Sequence, residues 1–428
     1  MALAGANRAT VRRGTGLGGG TSRRVFLRAL SGAALALLHP ARAAAKDERR
    51  PVLVCFNLAG GLDGLSLVVP YGEDDYYRAR PQLALPPAGK AGGALPLDSG
   101  FGLHPKLEPL YASFLDEHLA IVHAVGGKHF GRSHFRARQL MHSAAPAARH
   151  GTALASGWAN RYAQARAGVA SGPRLYSTLA ERPAAFAGAE PVALSNTHES
   201  WRKTDDDYLR ALHDLYEGAA DPFARAAETA LAQAAFVRQR TQGVRLRGHY
   251  SRAGRSLREA ARLILANVGA EIVWVELDGF DSHRSQGSVG GSLARRLSAL
   301  AQDLAAFRGD LGHAFDDVVL VTMTEFGRTL HENGAGGTDH GSACCSLVLG
   351  GPVRGGRLLG SWPGLSPAAL CEGRDLAVTT DYRAVLAPIL TEHLGLAAPD
   401  LAHVFPGFSV GGAPLDLLAP AASRPSGG

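Results

Sequence analysis

Short apolar, β-branched runs, each followed by a Gly- or Asp-bearing loop and separated by helical patterns, constrain this chain more than any other feature. Pro51 to Phe56, His118 to Val125, Glu271 to Leu277, Val318 to Met323 and Ser346 to Leu349 read as five buried strands. Between the third and fourth, Leu293, Leu297, Leu300, Leu304, Phe307 and Leu311 recur at steps of four and three, one apolar face of a long helix. Further helices are expected from Ser133 to Met141, where Ser133 is a good N-cap, and over 221–240, 255–266 and 380–394, the last closed by Gly395. The Pro- and Gly-rich stretch 71–100 reads as irregular surface. Strands alternating with helices predict an α/β fold: a doubly wound, mostly parallel sheet with helices on both faces.

Such sheets bind ligands beyond the carboxyl ends of their strands. The loops at those ends carry Asp63, Ser133, Asp281, His283 and Glu325, and the loop entering the fifth run carries Asp339 and His340. Carboxylates with imidazoles suit divalent ions such as Zn, Mn or Ca. Asp63, Asp281, His283, Glu325, Asp339 and His340 are therefore the candidate ligands. Ser133, at a helix N-terminus where free N–H groups favour an alkoxide, is the candidate nucleophile. His134 and Arg328 are the other candidate catalytic groups. Arg132, Arg136 or Arg328 could hold an anionic ester. Plainer readings stand beside these. Ser133 is an ordinary cap, Asp63 and Asp339 are common turn residues, and Glu325 and Arg328 are spaced for an ion pair.

The N-terminus predicts an address. Thr21-Ser22-Arg23-Arg24-Val25-Phe26-Leu27, the apolar run Ala29 to Leu38 and the small residues after Pro40 read as a twin-arginine signal over 1–45, cleaved near Ala43 or Ala45. Its partner during export is the twin-arginine translocase, and its destination is the periplasm or the medium. The apolar run is too short for a permanent membrane span. The chain's net charge is +7, but residues 1–45 hold seven arginines and no acid, so the remainder is balanced at 38 basic and 38 acidic side chains. That removes the electrostatic case for nucleic acid. Cys55, Cys344, Cys345 and Cys371 have no zinc spacing. They read as buried small hydrophobes, with a Cys371 bridge to Cys344 or Cys345 as the alternative in an oxidising compartment.

The blocks Phe56 to Leu65, Gly131 to Phe135, Gly157 to Arg161, Leu277 to His283, Thr324 to Arg328 and Gly337 to Gly341 resemble the signature blocks of the secreted bacterial family known as domain of unknown function 1501. That family is similar in fold to the alkaline phosphatase and sulfatase superfamily. The resemblance implies an alkaline-phosphatase-like domain over 46–420, with a helical insertion at 145–265 and a disordered tail at 421–428. It also implies a two-metal site. Ser133 sits where the superfamily has its nucleophile. Asp281 and His283 sit where an Asp and a His bind one ion. Glu325 sits where an Asp-His pair bridges to the other. His340 sits at the last His ligand, and Asp63 nearest the first Asp. Three departures argue against two complete metal sites: Asp281 and His283 are two apart rather than four, Phe326 stands where a His is expected, and Asp63 comes several residues after its strand. Two functions follow as expectations. One is a metal-dependent hydrolase of phosphate or sulfate esters. The other is a non-catalytic protein that kept the fold and binds a small anionic ester or glycan.

Overall fold

The computed structural model describes residues 49–98, 100–145, 156–166, 172–194, 210–211, 214–216, 222–409, 411 and 414–420. The leader expected at 1–45 and the tail at 421–428 lie outside them.

The sheet is built from β1 (Val52–Ala59), β2 (Leu119–Gly126), β3 (Leu175–Ser177), β4 (Val192–Leu194), β5 (Ile272–Asp278), β6 (Val318–Met323), β9 (Cys344–Gly350), β10 (Arg357–Leu359) and β11 (Thr380–Asp381). A small hairpin, β7 (Arg328–Glu332) with β8 (Thr338–His340), stands apart from it. Spatial order in the sheet is β10-β2-β9-β6-β1-β5-β3-β4, with β11 also beside β2. β1 lies parallel to both β5 and β6. Only β9, among the described strands of this sheet, runs antiparallel to its neighbours, β2 and β6. The fold is thus a mixed, mostly parallel α/β sheet.

Period-two alternation divides the core between the two faces. Val52, Val54, Phe56 and Leu58 of β1 join one cluster with α4 (Arg255–Leu265) and α5 (Ser292–Leu311). Leu53 and Cys55 join the other, with α1 (His134–Ser143), α2 (Trp158–Ala165) and α6 (Tyr382–Pro388). All six apolar positions predicted for the long helix are buried in α5. A 20-residue helix, α3 (Pro222–Thr241), lies near the segment expected at 221–240.

Three expectations change. The stretch at 145–265 is not wholly helical, because β3 and β4 extend the sheet beside β5. The Pro- and Gly-rich stretch 71–100 holds a helix, Asp74–Ala79, and a strand, Leu95–Asp98, and it buries Tyr76 and Arg80 completely. Thr380 and Asp381 pair with β2 before α6 begins, so that helix starts two residues late. All four cysteines are free, three of them buried, and the Cys371 bridge does not form. No helix among the described residues is long and apolar enough to cross a membrane.

β9 decides where the site forms. Because it is reversed, its amino end lies at the carboxyl edge of its parallel neighbours, with Cys344 opposite Val125 at the end of β2. The hairpin between β6 and β9 therefore delivers His340 to the edge where the loops after β1, β2, β5 and β6 emerge.

Candidate metal centre

Four side chains meet at this edge. His134 is the first residue of α1, directly after the Ser133 cap. Asp281 and His283 lie in the loop leaving β5, and His340 ends β8. His134, Asp281 and His340 offer ligand atoms that all lie within 4.8 Å of one another. His283 Nε2 is 2.9 Å from His340 Nε2 and 3.1 Å from Asp281 Oδ1. His340 Nε2 is 3.3 Å from the same oxygen, and His134 Nε2 is 3.7 Å from Asp281 Oδ2.

Each imidazole is held from behind. His340 Nδ1 is 2.9 Å from the Arg132 carbonyl, which can only accept, so this nitrogen carries the proton. His283 Nδ1 faces Asp339 Oδ1 at 3.0 Å and His134 Nδ1 faces Glu325 Oε1 at 2.7 Å, both carboxylate acceptors. With Nδ1 of each ring against an acceptor, the Nε2 atoms of His134, His283 and His340 all face Asp281, at 3.7, 3.1 and 3.3 Å. This is the arrangement by which proteins orient histidine ligands. The 2.9–3.3 Å separations among His283, His340 and Asp281 approach the edge of a tetrahedron, about 3.3 Å, that metal–nitrogen bonds of ~2.0–2.1 Å require. Imidazole nitrogens with a carboxylate at these separations could hold a divalent ion.

The electrostatics agree. Burial pulls the His340 imidazole below its ordinary pKa, and the nearby Arg328 charge adds to this, so the ring is neutral as a ligand must be. Burial alone would raise Asp281, but the hydrogen bond and charge of Arg328, with His340 and His283, hold it below the usual carboxylate range. Burial opposes ionisation of Glu325 too; its own backbone N–H, His134, Arg138 and Gly60 outweigh this and keep it ionised. A hydrogen bond from the Asn333 side chain, followed by His283, lowers Asp339.

The remaining candidates go to other tasks. Asp63 does not reach the centre. It is fully buried, with Arg80 Nη1 2.7 Å from Oδ2 and Nη2 3.0 Å from Oδ1, and Ser66 Oγ and Gln286 Nε2 each 2.6 Å from Oδ2. Both oxygens of that carboxylate are engaged by buried donors. Glu325 and Asp339 support histidines, and their ligand role passes to the rings they orient. His134, expected as a catalytic group, stands among the ligand atoms instead. Arg328 is buried and spends its N–H groups on the carbonyls of Gly60, Gly61 at 2.5 Å, Phe280 at 3.2 Å and Thr338 at 3.1 Å, and on Asp281 Oδ1 at 2.6 Å. It positions Asp281 and is not free to clamp a substrate. The Glu325–Arg328 pair does not form. Arg132 is taken by Asp375 and Glu372 at 2.6 and 2.7 Å, which leaves Arg136 exposed and unpaired among the three candidate anion-binding arginines. Ser133 caps α1 by backbone position only; its exposed side chain makes no cap hydrogen bond.

Phe326 forms the apolar back wall. Its buried ring lies with its centroid 4.7 Å from that of His340 and 4.8 Å from that of His134. It packs onto the Gly61 backbone so closely that a Cβ there would lie 2.5 Å from the ring, and Gly61 has a φ of +71°. The residues that sequence reasoning missed are Arg80 and Gln286. Neither has a local signal, since both act by burial against segments remote in the chain.

A search of curated proteins finds no match. One solved structure resembling the chain is described as "Crystal structure of Ps i-CgsB in complex with k-i-k-neocarrahexaose". It shares 10% identity, with 83% of this chain and 74% of that chain covered and a TM-score of 0.32, a likeness too distant to carry an argument about fold or ligand. Residues 133–404 match the family described as "Protein of unknown function (DUF1501)". That span holds the three imidazoles, Asp281, Glu325 and Asp339, and the chain belongs to this family.

Proposed function

We propose that this chain is an exported, metal-dependent hydrolase of phosphate or sulfate esters. The observation that carries the reading is the convergence of the His134, His283 and His340 Nε2 atoms on Asp281, each ring fixed at Nδ1 by an acceptor. A divalent ion held by these atoms would supply positive charge to the ester oxygens. Ser133 is the nucleophile: its Oγ is free of the cap bond, and the N–H groups at the start of α1 face the charge that develops on it. Arg136, exposed and without an ion pair among the described residues, is the cation for the ester. Phe326 keeps water from the back of the imidazoles. The leader motif supports export by the twin-arginine translocase to the periplasm or medium, a route that carries folded proteins.

The test is turnover. Purified chain, refolded or reconstituted with zinc or manganese, is assayed on aryl phosphate and aryl sulfate esters. Turnover that disappears in both Ser133→Ala and His340→Ala supports the hydrolase. Absence of any bound metal after exposure to several divalent ions would sink it.

A second reading, a non-catalytic binder of an anionic ester or glycan, is favoured by one pair of observations. On the resemblance a ligand His is expected where this chain has Phe326, and Asp63 is paired with Arg80. That reading expects the protein to be stabilised by ligand without turnover.

A further inference from the structure

We infer that Asp63, acting through Gln286, is a positioning residue for the imidazole centre; the inference rests on the metal-dependent reading above. Asp63, Arg80, Gln286 and Thr338 are all fully buried. Gln286 Nε2 donates to Asp63 Oδ2 at 2.6 Å and to Ser66 Oγ at 3.3 Å. Its Oε1 accepts from Ser282 Oγ and from Thr338 Oγ1, both at 2.8 Å. Ser282 lies between Asp281 and His283, and Thr338 lies two residues before His340. One amide therefore ties the two ligand-bearing loops together, and the Ser282 carbonyl accepts the Thr338 N–H at 3.1 Å alongside.

The amide has a direction, and Asp63 sets it. An ionised carboxylate can only accept, so the NH2 end must face it and the carbonyl end must face the two hydroxyls. Both hydroxyls then donate, which fixes their rotamers and the loops that carry them. Burial would raise the Asp63 pKa, but the Arg80 charge and the hydrogen bonds of Arg80, Ser66 and Gln286 overcome this and keep it ionised. Arg80 extends the lock to the hairpin. Its Nε donates to the Leu330 carbonyl and its Nη2 to the Thr329 carbonyl, both at 2.8 Å, while Thr329 Oγ1 accepts the Asp339 N–H at 3.1 Å. One buried ion pair thus orders the loop bearing Asp281 and His283 and the hairpin bearing Asp339 and His340. Ligand geometry is sensitive to such supports, and their loss commonly costs about 10–100-fold in metal affinity.

Asp63→Asn would strand the Arg80 charge in the interior. The test therefore cuts the arms and spares the ion pair, using Ser282→Ala, Thr338→Val and the double variant. Zn²⁺ affinity is read by chelator competition, coordination geometry by the visible spectrum of the Co²⁺ form, and stability by the melting temperature of the metal-free protein. Tyr162→Phe, which removes a 2.8 Å bond to Glu271 at the far end of β5, serves as a control for destabilisation alone. We expect the Zn²⁺ Kd to rise roughly tenfold in each single variant and further in the double, with an altered Co²⁺ band, while Tyr162→Phe lowers the melting temperature with Kd and band unchanged. Wild-type Kd and spectrum in all three loop variants, or effects matched by Tyr162→Phe, overturn the positioning role and leave the metal centre standing. A wild-type chain that binds neither ion overturns both.

Discussion

His283 Nε2 and His340 Nε2 face each other at 2.9 Å while the Nδ1 of each ring is held by an acceptor, Asp339 and the Arg132 carbonyl respectively. Two ring nitrogens so placed mark the centre of the candidate site. Removing either ring removes one corner of the ligand set.

Wild-type protein dialysed against zinc should retain about one ion per chain. His283→Ala and His340→Ala should each weaken binding by at least about a hundredfold, since each deletes a ligand and leaves an opened corner. Elemental analysis with chelator competition checks this. Two ions per chain in the wild type would contradict the one candidate cluster among the described residues.

Glu325 acts on the centre through His134. Its Oε1 takes His134 Nδ1 at 2.7 Å and the Gly60 N–H at 3.0 Å. Glu325→Gln keeps the shape but loses the acceptor charge that fixes the ring tautomer. Metal affinity should drop about tenfold, less than for His134→Ala. Equal losses in the two variants would mean that Glu325 binds the ion itself.

Gly61 cannot carry a side chain. Its φ of +71° is strained for other residues, and a Cβ would lie 2.5 Å from Phe326 Cε2. Gly61→Ala should cost roughly 1–3 kcal/mol in denaturant unfolding. Because Phe326 backs His340 and His134, metal affinity should fall with it. The companion Phe326→Leu should partly restore the stability of Gly61→Ala by freeing the space the ring occupies. Failure to do so would place the strain in the backbone alone.

Acid should destabilise the fold in two stages. Burial pushes His104, His123 and His142 down to about 4. Their folded values lie below the unfolded value of ~6.5, so the unfolded chain binds more protons between those limits, and stability falls as pH drops from about 6.5 to 4. Each histidine contributes up to about 1.4 kcal/mol per pH unit in that window. Below the ordinary carboxylate range of ~4 the lowered groups Asp63, Asp281, Glu325 and Asp339 add a second loss, because their stabilising ionised forms disappear as pH falls through their folded values. Replacing His123, away from the centre, with Gln should remove its share of the first stage and leave the second. A stability curve flat from pH 6.5 to 4 would refute this account.

Much of the site was legible before any coordinates. Asp281, His283 and Glu325 follow apolar strand runs and Asp339 and His340 precede one; in the fold these side chains lie at one edge of the sheet, Glu325 and Asp339 against imidazoles. Asp63 was misread because its turn-like context carries no trace of Arg80, which sits in a Pro- and Gly-rich stretch that reads as surface. Arg328 looked like an anion clamp because an arginine's chemistry is visible in sequence while the carbonyls that exhaust it are not.

Local pattern by itself determined the α/β class, the main strands, the apolar face of α5 and the loops in which ligand atoms would be found, because periodicity and loop chemistry are properties of neighbouring residues. Tertiary structure alone decided that β9 runs antiparallel, and so that the His340 hairpin meets the other loops at one edge. It also decided that Asp63 belongs to Arg80 and Gln286, and that His134 stands beside Asp281 and His340. Those outcomes depend on pairing between segments some 20 to 270 residues apart, where burial and hydrogen-bond satisfaction, invisible in local sequence, choose each side chain's partner.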